Sequence, residues 1–175
     1  MDKAEILRQM SKFDKARHNL LLVVIFSTIN LILYVAEVDY YLLFSATAPM
    51  LSYGVGWDLA YEFHDDNFLV AGLVIAAVII LLYLACWALA KRRRGFIIAA
   101  FVLFMFDCLI YAYLLVDILS YGEFVASELI DIVFHIWILI AMISGLMAWK
   151  KLRGINTDEI KSESDDISAS KNMEE

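Results

Sequence analysis

The feature that most constrains this chain is the stretch from Phe68 to Ala90, which contains no charged side chain. A membrane-spanning helix needs about 20 mostly apolar residues to cross roughly 30 Å of hydrocarbon. A soluble four-helix bundle would instead need a polar face on every helix, and this stretch has none. Four stretches have the required length and apolar character, namely residues 19–38, 68–90, 95–116 and 129–149. The sequence therefore predicts an all-α, integral membrane four-helix bundle.

Lysine and arginine lie on one side of these predicted spans. Twelve of the fourteen fall within residues 1–17, 91–94 and 150–153, whereas residues 39–67 and 117–128 contain none. Positively charged connections stay in the cytoplasm. We therefore expect a multi-pass protein of the plasma (inner) membrane, with its N-terminus, its KRRR connection and its C-terminus in the cytoplasm.

Three regions follow from this pattern. Residues 1–17 form a basic amphipathic segment, with Ile6 and Phe13 among the apolar positions that recur at helical spacing. Such a segment either lies on the anionic leaflet or extends the first span as a solvated helix. Residues 18–154 form the transmembrane domain. Residues 155–175 form an acidic, serine-rich tail that we expect to be disordered, and positions 158–175 hold seven acids and two lysines, thus −5 of the net charge of −7.

The connection at residues 39–67 is rich in aromatic residues, which settle in the headgroup region of a bilayer. Pro49, Gly54 and Gly56 interrupt it, and Trp57 and Tyr61 follow one helical turn apart. The pattern predicts a connection that lies on the membrane, with a short interfacial helix only over residues 57–63.

A weak internal similarity relates the first and third spans. Alignment of the first span on the third pairs Asn30 with Asp107 and Tyr34 with Tyr111, and the second and fourth spans both end in a basic cluster followed by glycine. This pattern is typical of a tandem helical-hairpin repeat, as in parallel-repeat transporters. Chance similarity between apolar helices is the alternative.

Asp107 is the sharpest functional candidate, because it lies near the middle of a predicted span. Ionisable residues near the bilayer centre are unfavourable, generally face a bundle interior and often have a function. Asn30, Tyr34, Tyr111 and His135 are its candidate partners. We name the predicted intramembrane residues together the polar seam: Ser27, Asn30, Tyr34, Glu37, Asp107, Tyr111, Asp131 and His135.

Each part of the polar seam also has a structural interpretation. Helical spacing places Ser27, Asn30, Tyr34 and Glu37 on one face of the first span, and Asp131 lies one turn before His135. These side chains either enclose an outward-opening path for an ion or proton, or hydrogen-bond between helices as packing contacts.

Evidence for a metal or an enzyme is weak. His64, Asp65 and Asp66 form an outward-facing group, yet a metal site needs three or more ligands that converge in space, which adjacent residues rarely do. The sequence has no Cys-x-x-Cys, no nucleophile elbow and no phosphate loop. No catalytic residue and no cofactor is therefore predicted.

The run from Phe13 to Val24, together with Asn30 and the segment from Tyr41 to Ala46, resembles the beginning of small, uncharacterised four-span bacterial membrane proteins. The resemblance covers the first third of the chain and implies location and span number. That family has no established activity to carry over.

The sequence thus favours a non-enzymatic protein of ion- or proton-linked transport through the polar seam around Asp107 and Asn30. A regulatory or assembly subunit of a larger membrane complex is the alternative, and a membrane enzyme acting at the outer face is the third. The expected partners are the lipid bilayer and either a second copy or a larger complex, with no nucleic acid. Small residues at 72 and 76, 141 and 145, and 144 and 148 would form close-packing faces for a second copy. The residues do not identify a transported species.

Overall fold

The computed structural model describes residues 1–38, 45–122 and 126–155, and for Ala126 and Ser127 the backbone alone. These ranges form five helices: α1 (Lys3–Val35), α2 (Thr47–Phe63), α3 (Asn67–Ala90), α4 (Phe96–Tyr121) and α5 (Ala126–Leu152). The described part of the chain has no strand, which confirms the all-α class. The predicted disordered tail lies outside the described residues from position 156 onward.

Four of the helices, α1, α3, α4 and α5, are long and apolar enough to cross a membrane. They match the four predicted spans. Much of their surface is exposed and apolar, as at Val74 and Leu81 of α3 and Leu109 of α4. Exposed apolar surface on this scale is what lipid covers, because soluble monomers rarely expose large contiguous apolar patches.

Helix α1 continues through residues 3–17 without a break. Ile6, Gln9 and Phe13 are buried. The Nζ of Lys151, near the end of α5, lies 3.5 Å from Oε1 of Glu5. At 1.5 Å per residue, the 33 residues of α1 measure about 50 Å, which exceeds a membrane span. Of the two interpretations of the N-terminal segment, the structure agrees with a helical extension of the first span, whose apolar face packs inside the protein.

Helix α2 corrects the prediction of a short interfacial helix at residues 57–63. It has 17 residues and begins at Thr47, so that Pro49 lies in its first turn, where the missing N–H of proline costs no helical hydrogen bond. Tyr53 and Gly56 are buried. Helix α2 therefore packs inside the protein over much of its length. The short connection at residues 64–66 turns the chain back into α3, and the rings of Phe63 and Phe68 lie 5.5 Å apart across it.

The small residues predicted as faces for a second copy pack largely within the chain. A Cβ on Gly72 would lie 3.0 Å from Cα of Gly56, and a Cβ on Gly145 would collide with the Cβ of Ala16. Gly72 thus joins α3 to α2, and Gly145 joins α5 to α1.

Candidate functional site

Asp107 lies near the middle of α4, and its side chain is 1% exposed. The backbone N–H of Ala48 donates to Oδ1 at 2.7 Å, and the N–H of Thr47 donates to Oδ2 at 3.1 Å. These are the first two residues of α2, whose N-cap residue, Ala46, has no side-chain acceptor. Asp107 therefore supplies from another helix the cap that α2 lacks.

The charge of Asp107 suits this position. The first N–H groups of a helix have no partner within the helix, and the aligned peptide dipoles give that end a partial positive charge. The carboxyl group of Asp107 offers one oxygen atom to each of two such N–H groups. The sequence provides no lysine or arginine at this depth, so backbone groups contribute part of the compensation that a buried charge requires.

His135 of α5 provides the remaining contact. Its Nε2 lies 3.3 Å from Oδ2 of Asp107, and its Nδ1 lies 2.8 Å from the backbone oxygen of Asp131. A carbonyl oxygen only accepts, so Nδ1 carries a proton and donates to it. A hydrogen bond between Nε2 and Oδ2 then requires one further proton, held either by the imidazole or by the carboxyl group. The contact between Asp107 and His135 is thus a buried hydrogen bond that contains one proton.

Aromatic rings of α4 fix the imidazole. Tyr111 stacks on His135 with ring centroids 4.4 Å apart and planes 2° from parallel, and Phe104 lies 5.7 Å away. Phe104, Asp107 and Tyr111 are spaced to share one face of α4. The Tyr111 hydroxyl donates to the backbone oxygen of Glu128 at 3.0 Å, at the start of α5. The imidazole of His135 therefore packs on one face of α4, against the rings of Phe104 and Tyr111 and beside the carboxyl group of Asp107.

Helix α1 holds the chain that leads into α2. The Nδ2 of Asn30 donates to the hydroxyl of Ser45 at 2.7 Å, and the N–H of Ala46 donates to the hydroxyl of Ser27 at 2.8 Å. Ser27 and Asn30 are each 1% exposed. Residues 45–48 therefore lie between α1 and α4, and they connect Asn30 to Asp107 through the chain.

Five predicted members of the polar seam come together around residues 45–48: Ser27, Asn30, Asp107, Tyr111 and His135. Asp131 joins them through its backbone oxygen, which accepts from Nδ1 of His135. Tyr34 and Glu37 lie elsewhere: the Tyr34 ring packs edge-on against Tyr53 of α2 at 5.1 Å, and Glu37 lies exposed beyond the end of α1.

Burial raises the pKa of the Tyr53 phenol, and the nearby Tyr34 and Glu37 raise it further. Tyr53 lies in α2, outside the four membrane-spanning helices. Its neutral phenol is therefore the form that the packed interface of α1 and α2 favours.

The group at residues 64–66, which the sequence predicts to face outward, forms a turn. His64 ends α2 in the left-handed region, with φ 54°, and the Oδ1 of Asp65 accepts from the N–H of Asn67 at 2.9 Å. Within the described ranges, no group of three or more His, Cys, Asp or Glu side chains is arranged to hold a metal ion. The turn accounts for the geometry of His64 and Asp65.

The backbone donors of Thr47 and Ala48 and the ring of Phe104 are the site components that sequence reasoning missed. Backbone groups leave no side-chain pattern, and Phe104 resembles any other apolar residue of α4. The only usable signal was Pro49, which is common in the first turn of a helix and would have placed a helix start near residue 47.

Comparisons of the chain with known protein families, with curated proteins and with solved structures find no match. The fold and the site therefore define a class, an all-α protein with four helices able to cross a membrane and a buried Asp–His pair, and the function must be inferred from that pair.

Proposed function

We propose that this protein carries out proton-linked transport across the plasma membrane, with Asp107 and His135 as the proton-binding pair. The observation that supports this most is that one proton is needed between two buried ionisable side chains that also hold the start of a helix. Buried ionisable groups are unfavourable within a membrane, and they commonly mark proton and ion pathways.

The proposal depends on a link between the proton and α2. With one proton on the pair, the carboxylate of Asp107 accepts from Thr47 and Ala48. A second proton makes Asp107 a neutral acid beside an imidazolium, and a neutral acid accepts hydrogen bonds less strongly than a carboxylate. The hydrogen bonds that Asp107 accepts from the start of α2 then weaken. Proton binding is thereby coupled to the position of α2, whose start lies between α1 and α4.

Among the described residues, few other titratable groups face the pair. Tyr111 of α4 stacks on His135, and the buried Tyr83 of α3 lies near Asp107. Helix α1 contributes the uncharged Asn30 and Ser27. The acidic and basic side chains described in this region are therefore Asp107 and His135, with Asp131 one turn away.

The arrangement of charges supports the proposed orientation. Lysine and arginine cluster at the start of α1, between α3 and α4 and at the end of α5, which supports a cytoplasmic location for both termini. Helix α2, about 26 Å long at 1.5 Å per residue, would then run from the middle of the bundle to the outer surface. Membership of the small four-span bacterial proteins that the N-terminal third resembles is part of this proposal.

The test is proton flux through purified protein in liposomes that contain a trapped pH-sensitive dye. We expect an imposed membrane potential, with a panel of small solutes, to drive proton movement through the wild-type protein. Asp107→Asn should reduce this flux at least tenfold, and His135→Gln should do the same. The matched control is Asp117→Asn, which makes the same substitution at an exposed position of α4 and should leave the flux unchanged.

Folding is checked by circular dichroism and size-exclusion chromatography of each variant. Absence of flux from folded wild-type protein over the whole panel would overturn the proposal, as would equal flux from wild type and folded Asp107→Asn. Purification of the inactive protein with a stoichiometric membrane partner would support a regulatory or assembly subunit instead.

A further inference from the structure

A cavity of about 190 Å³ opens at the end of the bundle that carries the lysines and arginines. It lies where α1, the connection between α3 and α4, and the end of α5 meet. Arg17, Lys91 and Arg94 contribute three cations to its lining, and Asp14 contributes one acid. The rest of the lining is apolar. The cavity therefore carries a net charge of +2 from these four side chains.

Arg17 is held in place at this cavity. Its Nη1 lies 3.6 Å from Asp14 Oδ1, its Nη2 donates to the backbone oxygen of Trp87 at 3.4 Å, and its guanidinium lies 5.8 Å from the centre of the Trp87 ring. The side chain is only 13% exposed. Its Nε is buried and has no hydrogen-bond partner among the described residues. A buried donor without an acceptor is unfavourable, so the guanidinium of Arg17 retains an unused hydrogen-bond donor.

The arginines at the cavity suit a particular ligand chemistry. Guanidinium groups present a planar fork of N–H donors that matches the oxygens of a phosphate group, and lysine adds a mobile point charge. A single water needs about 10–15 Å³ of such space, so the cavity has room for a tetrahedral oxyanion with part of its substituent. Basic pockets between membrane helices on the cytoplasmic side are also suited to lipid headgroups.

Only two of the four basic residues in the KRRR connection line the cavity, which distinguishes a binding site from general surface charge. Lys91 and Arg94 line the cavity, and Arg94 is half-buried. Arg92 and Arg93 belong to the same connection, are exposed and do not line it. If the KRRR connection served only to orient the protein in the membrane, no such difference between its basic residues would be required.

We propose that this cavity binds a phosphate group, contributed either by the headgroup of an anionic phospholipid or by a soluble phosphate compound. Arg17 and Arg94 donate hydrogen bonds to the phosphate oxygens, and Lys91 adds positive charge. Asp14 keeps the Arg17 guanidinium in position. This site is independent of Asp107 and His135 and does not rest on the proposed transport.

The test measures binding to the full-length protein in neutral detergent micelles. Phosphatidylglycerol, phosphatidylcholine and inorganic phosphate are titrated separately, with affinity read from native mass spectrometry and from the shift in thermal unfolding. Arg94→Gln should weaken binding about tenfold or more, because it removes a charged hydrogen-bond donor. Arg92→Gln, the matched control in the same connection, should stay within about twofold of wild type.

The three ligands separate the sources. Preferential binding of phosphatidylglycerol that inorganic phosphate does not displace supports a lipid headgroup, and saturable binding of inorganic phosphate supports a soluble ligand. If neither phosphatidylglycerol nor inorganic phosphate binds to the wild-type protein more tightly than to Arg94→Gln, or if Arg92→Gln and Arg94→Gln weaken binding equally, the site does not exist. Arg17→Gln and Lys91→Gln provide further tests, and either suffices if the other variant fails to fold.

Discussion

Gly56 of α2 and Gly72 of α3 bring the backbones of two helices into contact. A Cβ on Gly56 would lie 2.7 Å from the backbone oxygen of Phe68 and 2.9 Å from Cα of Gly72. Both atoms belong to the backbone, which cannot rotate away as a side chain can. The start of α2 reaches Asp107 while α2 packs closely along α3, so this contact helps to set where α2 lies.

We expect Gly56→Ala and Gly72→Ala each to destabilise the fold by about 1–3 kcal/mol, the usual cost of adding a methylene to a well-packed interior. In an uncrowded helix the same change would be stabilising, because alanine is the better helix former. The measurement is thermal unfolding in detergent micelles, followed by circular dichroism. Gly95→Ala is the control, since a Cβ there meets nothing within 4 Å. Equal unfolding temperatures for all three variants would contradict the close approach.

The contact between Ala16 and Gly145 makes a prediction about a pair of substitutions. Gly145→Ala alone places a second methyl group against the Cβ of Ala16 and should be destabilising. Adding Ala16→Gly moves the methyl group from α1 to α5 and relieves the collision. The double variant should therefore be more stable than the sum of the two single effects predicts, by about 0.5–3 kcal/mol. Additive effects in the same unfolding measurement would show that the two helices do not meet here.

The spans were predictable because their physics is simple. Length without charge defines a membrane helix, and the structure has four such helices at the predicted positions. Helix α2 was predicted only over residues 57–63 because Pro49, Gly54 and Gly56 favour breaks in isolation. Contact with α3 overrides that preference at Gly56, where a glycine is required by close packing.

The site was predictable as a set of residue types and only partly as a set of contacts. Depth along α4 identified Asp107, and His135 was among its predicted partners. The backbone donors of Thr47 and Ala48 were not foreseeable, because every residue except proline carries such a group. Asn30 and Asp107 both bind the residues that lead into α2, and the proposed hairpin repeat that would relate them stays a prediction.

Ser27 provides a test of how the entry to α2 is held. Its hydroxyl accepts from the N–H of Ala46, and Ser27→Ala leaves that buried donor unpaired, at a cost of about 1–3 kcal/mol. The neighbouring Thr28 is the control, because its hydroxyl donates to Val24 of its own helix. Thr28→Ala should change the free energy of unfolding less. A larger loss for Thr28→Ala would mean that Ser27 does not hold the chain before α2.

Tyr53 gives the fold a dependence on alkaline pH. Its pKa is raised in the folded protein by burial, so the folded state keeps the phenol proton at a pH where the unfolded chain has lost it. The stability that depends on the neutral phenol is complete below the ordinary tyrosine pKa of about 10 and is lost as the pH rises through the folded value. Tyr53→Phe should make unfolding less sensitive to pH above 10. Tyr61→Phe, at an 81% exposed position, should leave that sensitivity unchanged.

The Asp107 and His135 pair makes a stability prediction that is separate from transport. Asp107→Asn removes the negative charge that faces both His135 and the start of α2, and breaking a buried pair in this way costs about 3–5 kcal/mol. Asp117→Asn, at an exposed position of the same helix, should stay within about 0.5 kcal/mol of wild type. Adding His135→Gln to Asp107→Asn removes the imidazole left without its acid, so the double variant should lose less than the two single losses combined. Denaturant unfolding in micelles measures wild type, the three single variants and the double variant, and an Asp107→Asn variant as stable as Asp117→Asn would show that the carboxylate does not hold α2.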